Sequence, residues 1–184
     1  MRIRLSAAAF LVVLGIGQIG VLGQAQSPPQ AAPGNGMDME HHAAKVPAGP
    51  LKISFGDKSV EWTPESIAPL PHITVTVFNA HAKANQTYTG VPLMALLAKL
   101  GVPDKPHGND LRLYLVAEGA DGYKAVYSLA EVNPDLHDGS VIVADRLEGK
   151  VLADSGPFQL VATGEKRPAR WVRNLVSVRI LTAE

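Results

Sequence analysis

Residues 88–101 read Tyr88-Thr89-Gly90-Val91-Pro92-Leu93-Met94-Ala95-Leu96-Leu97-Ala98-Lys99-Leu100-Gly101. Leu93, Leu96, Leu97 and Leu100 recur at i, i+3, i+4 and i+7, which lays a single apolar stripe along a helix. The spacing predicts a helix over residues 92–100, with Thr89 or Val91 near its cap and Gly101 and Pro103 closing it. A short helix with one apolar stripe has to bury that stripe against other elements, and the flanking sequence supplies strands for it.

Upstream, Leu51-Lys52-Ile53-Ser54 and Ser59-Val60-Glu61-Trp62 read as short strands around the turn Gly56-Asp57. Thr63-Pro64-Glu65 sets a cap residue, a first-turn proline and an acid in the order of a helix start. Ile73, Val75 and Val77 alternate with Thr74 and Thr76, the pattern of a half-buried strand.

Downstream, Leu111, Leu113 and Leu115 alternate with Arg112 and Tyr114, and Asp121-Gly122 turns that strand into residues 123–128. Ser128-Leu129-Ala130-Glu131 fits a capping box for a short helix that ends near Asn133-Pro134. Val141-Ile142-Val143-Ala144 reads as a buried strand, and Glu148-Gly149 turns it toward Val151. Residues 158–162 and 175–181 read as the last two strands. Many short strands with a few short helices, out of strict βαβ alternation, give an α+β fold rather than a doubly wound sheet. One domain over residues 51–184 accommodates all of them.

The N-terminal third is different. Arg2 and Arg4 precede a charge-free apolar run, and Gly23-Gln24-Ala25 offers small residues at the −3 and −1 positions. Residues 1–25 are therefore expected to be a cleavable signal peptide, with the chain periplasmic or secreted. Residues 26–50, rich in Pro, Ala and Gly, read as a disordered linker, since they hold too little apolar surface to offset ordering entropy. Within it, Met37, Met39, His41 and His42 could catch a soft metal ion, or could simply be solvated.

The chain carries 17 basic and 17 acidic residues. Such a balance has no basic stripe for nucleic acid and no polybasic patch for a membrane once the leader is removed. Cysteine is absent, so disulfides, thiolate metal ligands and cysteine nucleophiles are excluded. His72, His81, His107 and His137 show no metal-ligand spacing, and beside predicted loops they are expected to be exposed.

Three stretches together carry a resemblance. Tyr88-Thr89-Gly90-Val91-Pro92-Leu93 with its leucine helix resembles the Y-x-G-V/F-P-L element of the sulfite-oxidase-type molybdopterin-binding domain. Asp121-Gly122-Tyr123 with Ser128-Leu129-Ala130-Glu131 resembles the middle of its small exported members. Ala144-Asp145-Arg146, then Ser155-Gly156-Pro157-Phe158-Gln159-Leu160-Val161, then Arg170-Trp171-Val172-Arg173, resembles their C-terminal segment.

What the resemblance implies is a sulfite-oxidase-like mixed-sheet fold and a molybdopterin cofactor. It also implies a cysteine ligand to molybdenum shortly before the G-V-P-L element, and basic side chains on the pterin phosphate. This chain has Val77-Phe78-Asn79-Ala80-His81 where the cysteine would fall, and Gln159 where the family pattern carries arginine. Lys166, Arg170 and Arg173 match the family's basic positions and are the expected cofactor-binding residues, with no catalytic or metal-ligating residue expected.

Three readings of function follow. The first is an exported oxidoreductase-like domain that binds a small anionic or phosphorylated ligand, or serves as an accessory protein, without the metal ligand. The second is an active molybdopterin-dependent oxidoreductase with atypical metal ligation. The third is an exported metal-handling protein that uses the Met/His tract.

Overall fold

A computed structural model describes residues 49–79, 83–152 and 154–184. The expected signal peptide, nearly all of the expected linker with its Met/His tract, and His81 lie outside the described residues.

The first five-stranded sheet begins with the hairpin β1 (Leu51–Phe55) and β2 (Lys58–Trp62). A single helical turn follows, α1 (Pro64–Ile67), capped by the Thr63 hydroxyl and returned by Ser66 rather than by the acid at Glu65. Next comes β3 (Ile73–Asn79), paired antiparallel with β4 (Ala84–Pro92). The leucine helix, α2, spans Leu93–Ala98. The chain continues through β5 (Leu113–Gly119), β6 (Lys124–Ser128), α3 (Leu129–Val132), β7 (Val141–Leu147), β8 (Lys150–Val151), β9 (Gln159–Ala162) and β10 (Leu175–Thr182).

Strands are ordered β2-β1-β10-β5-β6 in one sheet. The other runs β3-β4-β7-β8, with β9 also on β7. Among the described residues only β1 and β10 pair in parallel, so the first sheet is mixed, as expected, and the second is antiparallel throughout. The Asp121-Gly122 hairpin and the Ser128–Glu131 capping box are both present.

Three readings of local structure need correction. The sequence around Tyr88 was expected only to cap the helix, yet β4 runs nine residues and feeds α2 without a loop. Gly90 makes this close packing feasible: a Cβ there would sit on the Val143 carbonyl and 2.5 Å from Ala144 Cα of β7. The G-V-P-L element is thus a strand that must lie flush against its neighbour before it turns into a helix. Leu111 is not in a strand; it lies in a 3-10 turn, Gly108–Arg112, and is exposed. His72 is not an exposed loop histidine. Its Nδ1 lies 2.6 Å from the Leu70 carbonyl and its Nε2 3.3 Å from Asp145 Oδ2, in a partly buried position.

The main core joins α2 to both sheets: Leu93, Leu96, Leu97 and Leu100 are buried with Ile53, Leu115, Val143, Phe158, Leu160 and Val178. A second, smaller cluster lies on the opposite face of the β7 sheet, formed by Tyr88, Ile142, Ala144, Leu152 and Val161. Alternate residues of β7 and β9 therefore bury to opposite sides, Val143 and Leu160 to one, Ile142 and Val161 to the other. Burial on both faces is why these strands read as unbroken apolar runs.

Candidate functional site

The basic residues expected to act together are divided by the chain that carries them. After β9, a loop leads into the 3-10 turn Pro168–Arg170, and Val172 returns to β9 through a bridge to Leu160. Trp171 is pinned between, its indole N–H donating to the Ala162 carbonyl at 2.9 Å and its ring edge-on to Tyr88 at 5.6 Å. Lys166 and Arg170 line a cleft of about 530 Å³, while Arg173 lines a separate one of about 240 Å³.

Arg170 is committed to the protein itself. Its Nε donates to Glu165 at 2.8 Å, Nη2 donates to both Glu165 and Glu131, and Nη1 donates to the Val126 carbonyl at 3.1 Å. The guanidinium also lies over the Tyr127 ring, 4.6 Å from its centroid, an attractive cation–π geometry. Burial works against its charge, but the two carboxylates outweigh it and raise its pKa further. Glu131 shows the mirror image. Burial pushes its carboxyl up, and the Ser128 backbone and Arg170 bonds together bring it below the ordinary range. Tyr127 lies beneath this network, its hydroxyl donating to the Arg170 carbonyl at 2.6 Å. Burial drives that phenol well above its usual range.

Arg173 stands differently. It is exposed, and no ion pair holds it among the described residues. Its cleft is walled by a row of hydrogen bonds between polar side chains. Asn79 Nδ2 donates to Gln86 Oε1 at 2.7 Å and the Tyr88 hydroxyl donates to the same oxygen at 3.2 Å, with Gln159 lining the same cleft. Desolvation raises the Tyr88 pKa, with Arg173 and Gln159 opposing the rise. Gln159 is only 3% exposed, so a buried neutral amide stands at the position of the family's arginine. Asp121 and Tyr123 close the far side, the Tyr123 hydroxyl donating to the Ala169 carbonyl.

This second cleft gathers three positions that the resemblance assigns to the cofactor: Asn79 from the segment of the missing thiolate, Gln159 from the lost arginine, and Arg173 from the phosphate cations. Their donor set does not fit a thiolate-bound molybdenum centre. The chain has no cysteine, and the cleft offers amides, phenols, one carboxylate and one guanidinium. It does fit the phosphate end of such a group, for which Arg173 supplies a free fork.

Sequence reasoning missed the acids that claim Arg170. Glu131 was legible only as a capping-box residue, a role it also fills, its carboxylate accepting from Ser128 N at 2.8 Å. Glu165 was a lone acid in a basic run, and that is the signal that could have flagged it.

No family model matches this chain. Its α+β, sulfite-oxidase-like fold is shared with the sulfane dehydrogenase SoxCD from Paracoccus pantotrophus. The two are 26% identical with a TM-score of 0.55, over 71% of this chain and 37% of that one. The DNA primase small subunit PriS of Thermoplasma volcanium is 32% identical over 82 residues, 45% of this chain. The chain spans 23% of that primase subunit's length.

Proposed function

We propose that this chain is an exported ligand-binding or accessory domain that keeps an oxidoreductase scaffold and its phosphate-directed cation without the metal-directed thiolate. The observation that carries this reading is Arg173, a free guanidinium in the cleft where Asn79 and Gln159 also lie, in a chain devoid of cysteine. A thiolate contributes negative charge and a covalent bond to the metal, and an amide cannot replace either. A phosphate needs only charge-assisted donors, which Arg173 still offers. Export is supported by Arg2 and Arg4 before the apolar run and by the small residues at Gly23 and Ala25.

The 26% identity with a sulfane dehydrogenase favours a second reading, a working molybdopterin-dependent oxidoreductase with atypical ligation. One experiment separates the two. The full chain is produced in a host that makes and exports the cofactor, then analysed for molybdenum and for thermal stabilisation by inorganic phosphate. The expected result is no stoichiometric molybdenum and a phosphate-dependent rise in Tm that Arg173→Ala removes. One molybdenum per chain would establish the enzyme reading instead.

A further inference from the structure

The larger cleft, which plays no part in the reading above, is also built as a binding site. Its floor is apolar: Val141 and Ala162 are direct cross-strand partners on β7 and β9, both almost fully buried, and their side chains share one face. One wall is the Arg170 network. There both carboxylates are turned onto the one guanidinium, so the wall keeps a net charge of about −1, which the Lys166 and Arg167 cations of the same cleft outweigh.

The opposite wall is formed where the chain enters β7 and leaves β9. Gly139 and Gly164 pack backbone to backbone. A Cβ on Gly139 would lie 2.8 Å from Gly164 N, and one on Gly164 would lie 2.6 Å from His137 Cε1. The two crossing bonds at Ser140 and Thr163, 2.8 Å and 2.9 Å, hold that wall in place.

Away from the Arg170 network, the polar side chains at the mouth are donors. His137 Nδ1 accepts the Gly139 N–H at 3.0 Å, which leaves Nε2–H as the ring's outward donor. Lys166 and Arg167 line the same cleft, are exposed, and have no acid partner among the described residues. Arg170 has four of its five N–H donors on Glu165, Glu131 and the Val126 carbonyl, which leaves Lys166 and Arg167 as the unpaired cations of the cleft.

An apolar floor, an Arg170 network whose carboxylates are turned onto its guanidinium, and two unpaired cations with a histidine at the mouth select one chemistry. We propose that this cleft binds a small amphipathic organic anion, an apolar monocarboxylate. The carboxylate would meet Arg167, Lys166 and His137 Nε2–H, and the aliphatic chain would lie on Val141 and Ala162. The volume of about 530 Å³ is in the range of small-molecule sites. A cationic amphiphile would face uncompensated cations at the mouth. Inorganic phosphate would gain nothing from the floor.

The test is an amide-resolved NMR titration of the full exported chain with hexanoate, hexylamine and inorganic phosphate in parallel. Hexanoate is expected to shift the amides of Gly139, Gly164 and His137 and to leave those of Tyr88, Gln159 and Arg173 in place. Arg167→Glu, at an exposed position, is expected to weaken hexanoate by about tenfold or more, the loss of a charge-assisted contact. Arg173→Ala is expected to leave it unchanged. The proposal is overturned by hexylamine binding as tightly, by phosphate shifting the same amides equally, by hexanoate shifting only the Arg173 cleft, or by no response to hexanoate. Because the Arg173 variant is silent here and decisive for phosphate, failure of either reading is visible independently of the other.

Discussion

Replacing Arg170 by alanine separates a structural cation from a ligand cation. The substitution deletes the bonds to Glu165, Glu131 and the Val126 carbonyl and the stacking on Tyr127. A charge-assisted bond between sheltered groups is worth about 1.5–3 kcal/mol, but Arg170 and Glu131 are each more than a third exposed. Solvent screening reduces each ion pair to about 0.5–1 kcal/mol. The cation–π contact adds about 0.5–1 kcal/mol. Two carboxylates are also left facing each other without a cation. A net destabilisation of about 2–3 kcal/mol follows, read as a fall in the urea midpoint at unchanged slope. Double-mutant cycles with Glu131→Gln and Glu165→Gln should return a favourable coupling for each pair. The phosphate-dependent rise in Tm should survive in Arg170→Ala. A loss of less than about 0.5 kcal/mol, the scale of an ordinary surface change, together with loss of the phosphate response, would show that Arg170 serves a ligand and that the network is incidental.

Acid should reproduce part of that loss: the folded Glu131 carboxyl is held below its ordinary value, so its contribution is complete above the unfolded carboxylate's pKa and is lost as pH falls through the lowered folded one. Urea titrations between about pH 5 and pH 2 should therefore show a stability decline that is shallower in Glu131→Gln. Leu96→Ala or Leu97→Ala, each at a fully buried position, should cost about 2–5 kcal/mol by chemical denaturation, and a cost under about 1 kcal/mol at both would contradict the packing of α2. Gly90→Ala drives a Cβ into the β7 backbone and should destabilise by at least about 2 kcal/mol; near-neutrality in the same assay would mean that β4 can back away from β7.

The elements that sequence made legible are those whose signal is local. The leucine stripe of α2, the capping box at Ser128 and the turn at Asp121-Gly122 each lie within one short window, and each appears in the structure. β4 escaped because its residues, Ala84-Asn85-Gln86-Thr87-Tyr88-Thr89-Gly90, carry no apolar alternation. The strand exists because β3 and β7 pair with it from either side, a tertiary cause that no window contains. His72 was misjudged for the same reason: its partner Asp145 lies 73 residues away. Of the candidate site, the residue types were legible and their grouping was not.

That grouping turns on a four-residue step. Arg170 ends a 3-10 turn, Trp171 is anchored to the Ala162 carbonyl, Val172 is fully buried and bridges Leu160, and Arg173 leaves toward the other side. Two arginines three positions apart therefore lie in different clefts, with the indole and β9 between them. On the Arg170 side, Glu165 and Glu131 supply the counter-charge and the cation becomes part of the fold. On the Arg173 side, Gln159 contributes only a neutral amide, and no ion pair holds the cation among the described residues, which is the ground for the ligand role proposed for it. A scaffold that needed both arginines on one phosphate would have to release Arg170 from two carboxylates first. A single free guanidinium suits a small singly anchored anion better than a large cofactor gripped at several points, which is the physical ground for reading this chain as a binding domain.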